Sequence, residues 1–567
     1  MARKINYDNW SREELEKELR RIKETKYGLV WHRDLPEEKI DVLINPDART
    51  PNEMFPNEMA GKPFPVLKEV KNKEIKTDTK EPVNLLIQGD NYHSLAVLNF
   101  THQEAVDLIY IDPPYNTGND DFIYNDKIKS NYVKRDDPFR HSKWLAFMEK
   151  RLKLAKNLLK KSGVIFMSID DNEFAQLKLL CDEIFDERNF IIDVIWNSRK
   201  SVSSDAIVSL NHNHTLLYAK DIDVLREIVK KGLRFKLQTQ KEKFANPDKD
   251  PRGPWTADPF DAPNIRPNLT YPIKNPKTGK VYMPPKGRCW RTTKNEYERF
   301  LKEGRIVFGK NGISKPQLKR YLSEAEEKGL TPKSIWDDVG TTTNGTQELE
   351  DIFGEKKFNN PKPVSLIRRI LELATNKESI ILDFMAGSGT TGHAVLELNE
   401  QDEGRRQVIL CTNNENNICT EVCYPRLKKV IGGYKNLKKE NVAGLGGNLK
   451  YYNCDFVEAE PTDRNKRKLV NESTEMLCIR ENAFELVEDG SDFRIYKNSD
   501  KYLGIVFYEE AINDFKKAIS KIKGHFNVYV FSLGDDPHEK QFADVKEKVT
   551  LCAIPEVILK VYREIFK

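Results

Sequence analysis

No apolar run in these 567 residues approaches the ~20 that a membrane-spanning helix needs. The first residues, Met1-Ala2-Arg3-Lys4-Ile5-Asn6-Tyr7, lack the apolar core of a signal peptide. The eight cysteines include no Cys-X-X-Cys pair. Cys419 and Cys423 stand four apart, with no histidine at zinc-ligand spacing nearby. Reduced, structural cysteines and no metal site are therefore expected. Nor is there a charge excess: 93 Lys+Arg against 88 Asp+Glu gives +5, so any nucleic-acid surface has to be local. There is no internal repeat. These absences predict a soluble, cytoplasmic protein. What is present supports real cores, with 38% hydrophobic and 10% aromatic residues. The length suggests several domains.

Ser11-Arg12-Glu13-Glu14 reads as a capping box, and Leu15, Leu19 and Ile22 follow on one helical stripe. Residues 1–79 are read as this helix and a linker rich in Pro, Asn, Lys and Glu. Strand–helix alternation begins at Val83. Strands are predicted at Val83–Gln88, Val106–Ile111, Gly163–Ile169, Phe190–Trp196, Thr215–Tyr218, at Ile380 and at Gln407–Leu410. Helices are predicted around Leu95–Leu98, Leu152–Leu159, Val364–Leu373 and His393–Leu398. This rhythm predicts an α/β fold, a Rossmann-like parallel sheet covered on both faces. It breaks between about Leu225 and Asn360, where the chain turns basic, Pro-rich and aromatic. One α/β domain (80–225 and 356–450) interrupted by an insert (226–355) is expected, with a small α+β module over 451–567.

Two motifs carry chemistry. Asp112-Pro113-Pro114-Tyr115 ends the apolar run Val106–Ile111. It puts a carboxylate, a rigid proline pair and an aromatic ring at a strand tip. The amine of adenine or cytosine is a poor nucleophile, because its lone pair is delocalised into the ring. The Asp112 carboxylate and the Pro113 carbonyl would accept hydrogen bonds from that amine and favour a pyramidal nitrogen. The prolines hold the carbonyl rigidly, and Tyr115 offers a face for stacking on an extruded base. The second motif is Ile380-Ile381-Leu382-Asp383-Phe384-Met385-Ala386-Gly387-Ser388-Gly389-Thr390-Thr391-Gly392, a strand entering a glycine-rich turn. It has the G-x-x-x-x-G spacing of a phosphate loop, but His393 and Ala394 replace the required Lys and Ser/Thr. Gly387, Gly389 and Gly392 also meet the dinucleotide spacing, yet the first motif has no use for a hydride. The glycines suit close backbone approach to an adenosyl cofactor, against which Phe384 packs. Glu415, past the next strand, is placed to bond ribose hydroxyls.

With these motifs in this order, the chain resembles the modification (Mod) subunit of a type III restriction–modification system, a DNA adenine-N6 methyltransferase of the β class. Further strings fit the pattern: Gly89-Asp90-Asn91, His141-Ser142-Lys143-Trp144-Leu145, Ser168-Ile169-Asp170-Asp171-Asn172-Glu173, Asn211-His212-Asn213-His214 and Phe358-Asn359-Asn360-Pro361-Lys362-Pro363. The resemblance implies methyl transfer from S-adenosylmethionine to N6 of adenine in duplex DNA. It assigns Asp112, Pro113, Pro114 and Tyr115 to catalysis. It assigns Asp383, Phe384, Ala386, Gly387, Ser388, Gly389, Thr390 and Glu415 to the cofactor, with Lys362 and Pro363 at its methionine end. Asp170 reads either as a helix cap or as a further cofactor contact. The insert would recognise the target, with Arg252 and Arg288 as candidate DNA contacts. A homodimer and a restriction (Res) subunit with helicase and nuclease activity are the implied partners. Three alternatives stay open: a stand-alone DNA methyltransferase, a non-catalytic DNA-specificity module and an RNA methyltransferase.

Overall fold

The computed structural model describes residues 11–13, 15–16, 31, 62–77, 81–118, 123–126, 129–237, 241–309, 311–498, 501–531, 538–554, 558–559 and 561–562. Most of the expected N-terminal helix, including Leu19 and Ile22, lies outside them. So does much of a helix expected at the C-terminal end. The chain divides into two compact units, residues 228–333 and the remainder.

The larger unit is built on a ten-stranded sheet. Numbered along the chain, its strands are β1 (Phe64–Glu69), β2 (Val83–Gln88), β3 (Val106–Ile111), β4 (Leu159–Ile169), β5 (Phe190–Trp196), β6 (Asn213–Ala219), β7 (Ile335–Trp336), β8 (Ile380–Asp383), β9 (Gln407–Thr412) and β10 (Asn448–Val457). Their order is β1-β10-β2-β9-β8-β3-β4-β6-β5-β7. From β10 to β4 all neighbours run parallel. The connecting helices include α1 (Asn91–Thr101), α2 (Arg140–Leu158), α3 (Phe174–Cys181), α4 (Val364–Ala374) and α5 (Thr390–Asp402). β3 and the central residues of β8 and β9 are almost wholly apolar and buried, as expected of strands covered on both faces.

The expected all-parallel sheet needs one correction. β6 runs antiparallel to both β4 and β5, and β1 is antiparallel to β10. No helix separates β5 from β6, and a direct loop can only return the chain antiparallel. The boundary expected at residue 451 also moves. Tyr451 lies inside β10, which pairs with β1 and β2 in the main sheet.

Beyond β10 comes the helix Asp463–Glu481 and a five-stranded sheet with the helix Ile512–Ser520 on it. Leu469, Met476, Leu477 and Ile479 from the first of these helices join the same apolar core as Phe64, Leu95 and Phe100. The C-terminal module thus shares its core with the main sheet. The smaller unit, 228–333, lies within the expected insert. It contains a three-stranded antiparallel sheet over a core of Phe260, Tyr271, Trp290 and Tyr297.

Candidate active site

β3, β4, β8 and β9 are parallel neighbours, so their C-terminal ends share one edge of the sheet. The loops after these strands begin at Asp112, Asp170, Phe384 and Asn413. β6 runs the other way, which brings its first residue, Asn213, to the same edge: Ile169 is paired with His214. That edge is where an open α/β sheet binds ligands.

The Asp112–Tyr115 turn is held from several sides. Trp144 Nε1, on α2, donates to the Pro114 carbonyl at 2.7 Å. Asn213 Nδ2 donates to the Tyr115 hydroxyl at 3.1 Å. Lys362 Nζ, 250 residues further along the chain, meets Asp112 Oδ2 at 2.5 Å and sits 5.0 Å from the Tyr115 ring centroid. The other carboxylate oxygen, Asp112 Oδ1, is buried, and among the described residues no donor stands in hydrogen-bond geometry to it. A buried acceptor without a donor is costly unless a ligand supplies one. Sequence reading gave Lys362 to a cofactor; here its ammonium pairs with the catalytic-motif carboxylate.

The glycine-rich turn follows β8 directly. Gly387 (φ +50°) and Gly389 (φ +79°) take left-handed backbone. A Cβ on Gly389 would sit 3.0 Å from Cys423 Sγ. Asp383 is buried. It accepts from Met385 N at 3.0 Å and from Thr391 Oγ1 at 2.5 Å. Burial outweighs those bonds and pushes its carboxyl up to about 7. Phe384, Ala386, Ser388 and Thr390 are buried around the turn.

Beneath the turn lies a residue that sequence reading missed. The fully buried Arg426 donates from Nη1 to Thr390 Oγ1 at 2.8 Å and approaches the Ser388 carbonyl and hydroxyl at 3.4 and 3.3 Å. Its Nη2 meets His393 Nδ1 at 3.2 Å. Burial lowers its pKa to about 10, so it stays a cation. A signal was available: Val430 follows Arg426 at i+4 and Leu427 and Ile431 adjoin it, so the arginine sits on the apolar stripe of its helix.

The remaining expected cofactor residues also reach this edge. Pro363 caps α4. Glu415 begins a short turn after β9 and is exposed. Asp170 accepts from Asn172 N at 2.9 Å and from Asn172 Nδ2 at 2.7 Å, which closes a local turn ahead of α3, whose N-cap position is Glu173. The residues fit an adenosyl cofactor on two grounds: the left-handed glycine cradle admits no Cβ freely at Gly389, and the open acceptor on Asp112 stands on the neighbouring strand tip.

Among the described residues, Asp171, His212 and His214 are close enough to share a cation. His214 does not behave as a ligand. Its Nδ1 lies 2.8 Å from Asp193 and its Nε2 3.0 Å from Asp171. Burial works against its charge, but these two hydrogen bonds win and raise its pKa. Both of its ring nitrogens are already engaged by carboxylates.

In the smaller unit, Arg252 grips Asp250 through Nε and Nη2 at 2.9 Å each and donates to the Glu303 carbonyl at 2.8 Å. Arg288 Nε pairs with Asp261. Both guanidiniums, expected on DNA, are engaged within the unit.

A DNA methylase family model (N6_N4_Mtase) matches residues 106–422. That span is more than half of the chain and contains both motifs, and the chain belongs to this family. Among curated proteins it is 37% identical over 358 residues to the type III restriction–modification enzyme StyLTI Mod subunit of Salmonella typhimurium, covering 59% of this chain and 53% of that one. It is 34% identical over 409 residues to the EcoPI Mod subunit of Escherichia phage P1, covering 62% and 61%. It is also 34% identical over 355 residues to the type II methyltransferase M.KpnI of Klebsiella pneumoniae, covering 59% and 82%. The chain thus spans between half and two thirds of the Mod subunits' length.

Proposed function

We propose that this chain transfers a methyl group from S-adenosylmethionine to N6 of adenine in duplex DNA, as the modification and specificity subunit of a type III restriction–modification system. The observation that carries the reading is the state of Asp112. One oxygen is fixed on Lys362, and the other is a buried acceptor with no donor. That oxygen and the Pro113 carbonyl would take the two N–H groups of the adenine amine. The nitrogen's lone pair then turns out of the ring plane. Tyr115, anchored by Asn213, stacks on the flipped base. Lys362 keeps the carboxylate anchored while the amine is held. When bound, S-adenosylmethionine supplies the methyl group. Gly387, Ser388, Gly389 and Thr390 would hold its adenosyl part, with Phe384 packed below, Glu415 at the ribose, and Lys362, Pro363 and Asp170 toward the methionine end.

Residues of the insert would read the target, with a homodimer and a Res subunit as partners, in the cytoplasm. Among the described residues no helix is long and apolar enough to cross a membrane. A second reading, a stand-alone DNA methyltransferase, is favoured by the 82% of M.KpnI that the match covers. Methylation-sensitive sequencing of DNA from cells expressing the chain tests activity, base and target together. N6-methyladenine at one recurrent sequence is expected. DNA left unmodified while the chain is well expressed would overturn the reading. Co-purification with a Res subunit from the source cells, or its failure, separates the two versions.

A further inference from the structure

Two residues of the strings His141–Leu145 and Ser168–Glu173, His141 and Glu173, have no part in the chemistry above, yet they meet behind the catalytic turn. Glu173 is an acid with no exposed surface. Its Oε1 accepts from Asn116 Nδ2 at 2.5 Å and meets His141 Nδ1 at 2.7 Å, while its Oε2 is buried and has no partner among the described residues. A buried acid is expensive, and such a group persists where it has work to do. Asn116 directly follows Tyr115 and is itself fully buried, with left-handed backbone at φ +55°. Asparagine is one of the few non-glycine residues that adopts this backbone, and here its side chain is tied down by hydrogen bonds. Asn116 Nδ2 also reaches the Arg140 carbonyl at 3.3 Å. The same end of α2 supplies His141 to Glu173 and, one turn on, Trp144 to the Pro114 carbonyl.

We propose that Glu173 is a positioning residue for methyl transfer: it fixes the Asn116 turn, and through it the aim of Asp112 and Tyr115. This rests on the methyl-transfer reading above. Glu173 touches neither substrate nor cofactor in that reading. It locks the exit of the catalytic turn, while Trp144 locks the middle and Lys362 the entrance. Burial pushes the Glu173 carboxyl up to about 8, against the pull of its Asn116 hydrogen bond. A neutral carboxyl keeps the acceptor oxygen that Asn116 needs without a bare charge behind the base pocket. Arg140 and Asp170 are the charged neighbours that act on it, in opposite directions.

A double-mutant cycle tests this with purified full-length proteins, read as kcat, KM for DNA and S-adenosylmethionine affinity. Misplacing catalytic groups by about 1 Å costs on the order of 100-fold, and Glu173→Ala should lower kcat by that order with cofactor affinity near wild type. Glu173→Gln retains an acceptor oxygen and should recover most of the rate. Asn116→Gly accepts the left-handed turn but drops the hydrogen bond, and adding Glu173→Ala to it should cost little more. Should the alanine protein not fold, Asn116→Gly alone carries the test: it should lower kcat with cofactor affinity near wild type, and an unchanged kcat would overturn the assignment. Unchanged kcat in Glu173→Ala, or losses that simply multiply in the double variant, would overturn the assignment. An inactive wild type would instead count against the methyl-transfer reading.

Discussion

Lys362→Met removes an ammonium from a 2.5 Å contact with Asp112 Oδ2 while keeping an unbranched stem of similar length. The contact is sheltered, with the lysine side chain 9% and the aspartate side chain 30% exposed. A hydrogen bond to a charged group contributes about 1.5–3 kcal/mol. The other carboxylate oxygen is already without a donor, so the variant leaves a mostly buried carboxylate unheld. If that anchoring is expressed fully in the transition state, kcat falls by roughly 10- to 150-fold. Methyl transfer to duplex DNA from radiolabelled S-adenosylmethionine, at saturating cofactor, measures it. Calorimetric titration of the cofactor is the necessary companion, because the family resemblance puts Lys362 at the cofactor's methionine end. Unchanged kcat with weakened cofactor binding would refute the Asp112-anchoring role and return Lys362 to the cofactor alone.

Arg426→Met should loosen the glycine-rich turn from below: each charged hydrogen bond lost costs about 1.5–3 kcal/mol, and both thermal stability and cofactor affinity should drop. Asp383 has a folded pKa of about 7 against an ordinary 3.8, so the folded protein holds a proton that the unfolded chain releases, and stability falls as pH rises from about 4 to 7. Asp383→Asn should remove up to about 1.4 kcal/mol per pH unit of that slope in denaturant unfolding between pH 5 and 7; an unaltered slope would contradict the burial argument. Arg252→Ala should lower the melting temperature of the 228–333 unit even without DNA, because the guanidinium braces Asp250 and the Glu303 carbonyl. Weakened DNA binding with unchanged melting would restore it as a DNA contact.

The strands flanking the site were readable because each is a short apolar run stopped by polar or turn-forming residues. The Val106–Ile111 and Ile380–Asp383 runs need no distant context to declare a buried strand. That these two pair with each other was not read from the sequence, since periodicity says nothing about which strands are neighbours. Periodicity is equally silent on direction, which is how the reversal of β6 escaped. Tyr451 was read as the start of a new module; in fact the chain there returns to pair beside β2. Charged side chains hid best. Glu173, in the string Asp170-Asp171-Asn172-Glu173, looks like a solvated helix cap, and Arg426 looks like one more basic residue on a surface helix. Each is buried against partners distant in sequence, a fact that no local window contains. The converse holds for Arg252 and Arg288, where a basic, aromatic stretch suggested DNA and the nearest carboxylates captured both guanidiniums.

Nucleoside analysis of DNA treated with wild type and with Asp112→Asn bears on the central claim most directly. The account predicts N6-methyladenine from the wild type, none from the variant, and near-equal S-adenosylmethionine binding by both. N4-methylcytosine from the wild type, or a full yield of N6-methyladenine from Asp112→Asn, would contradict it.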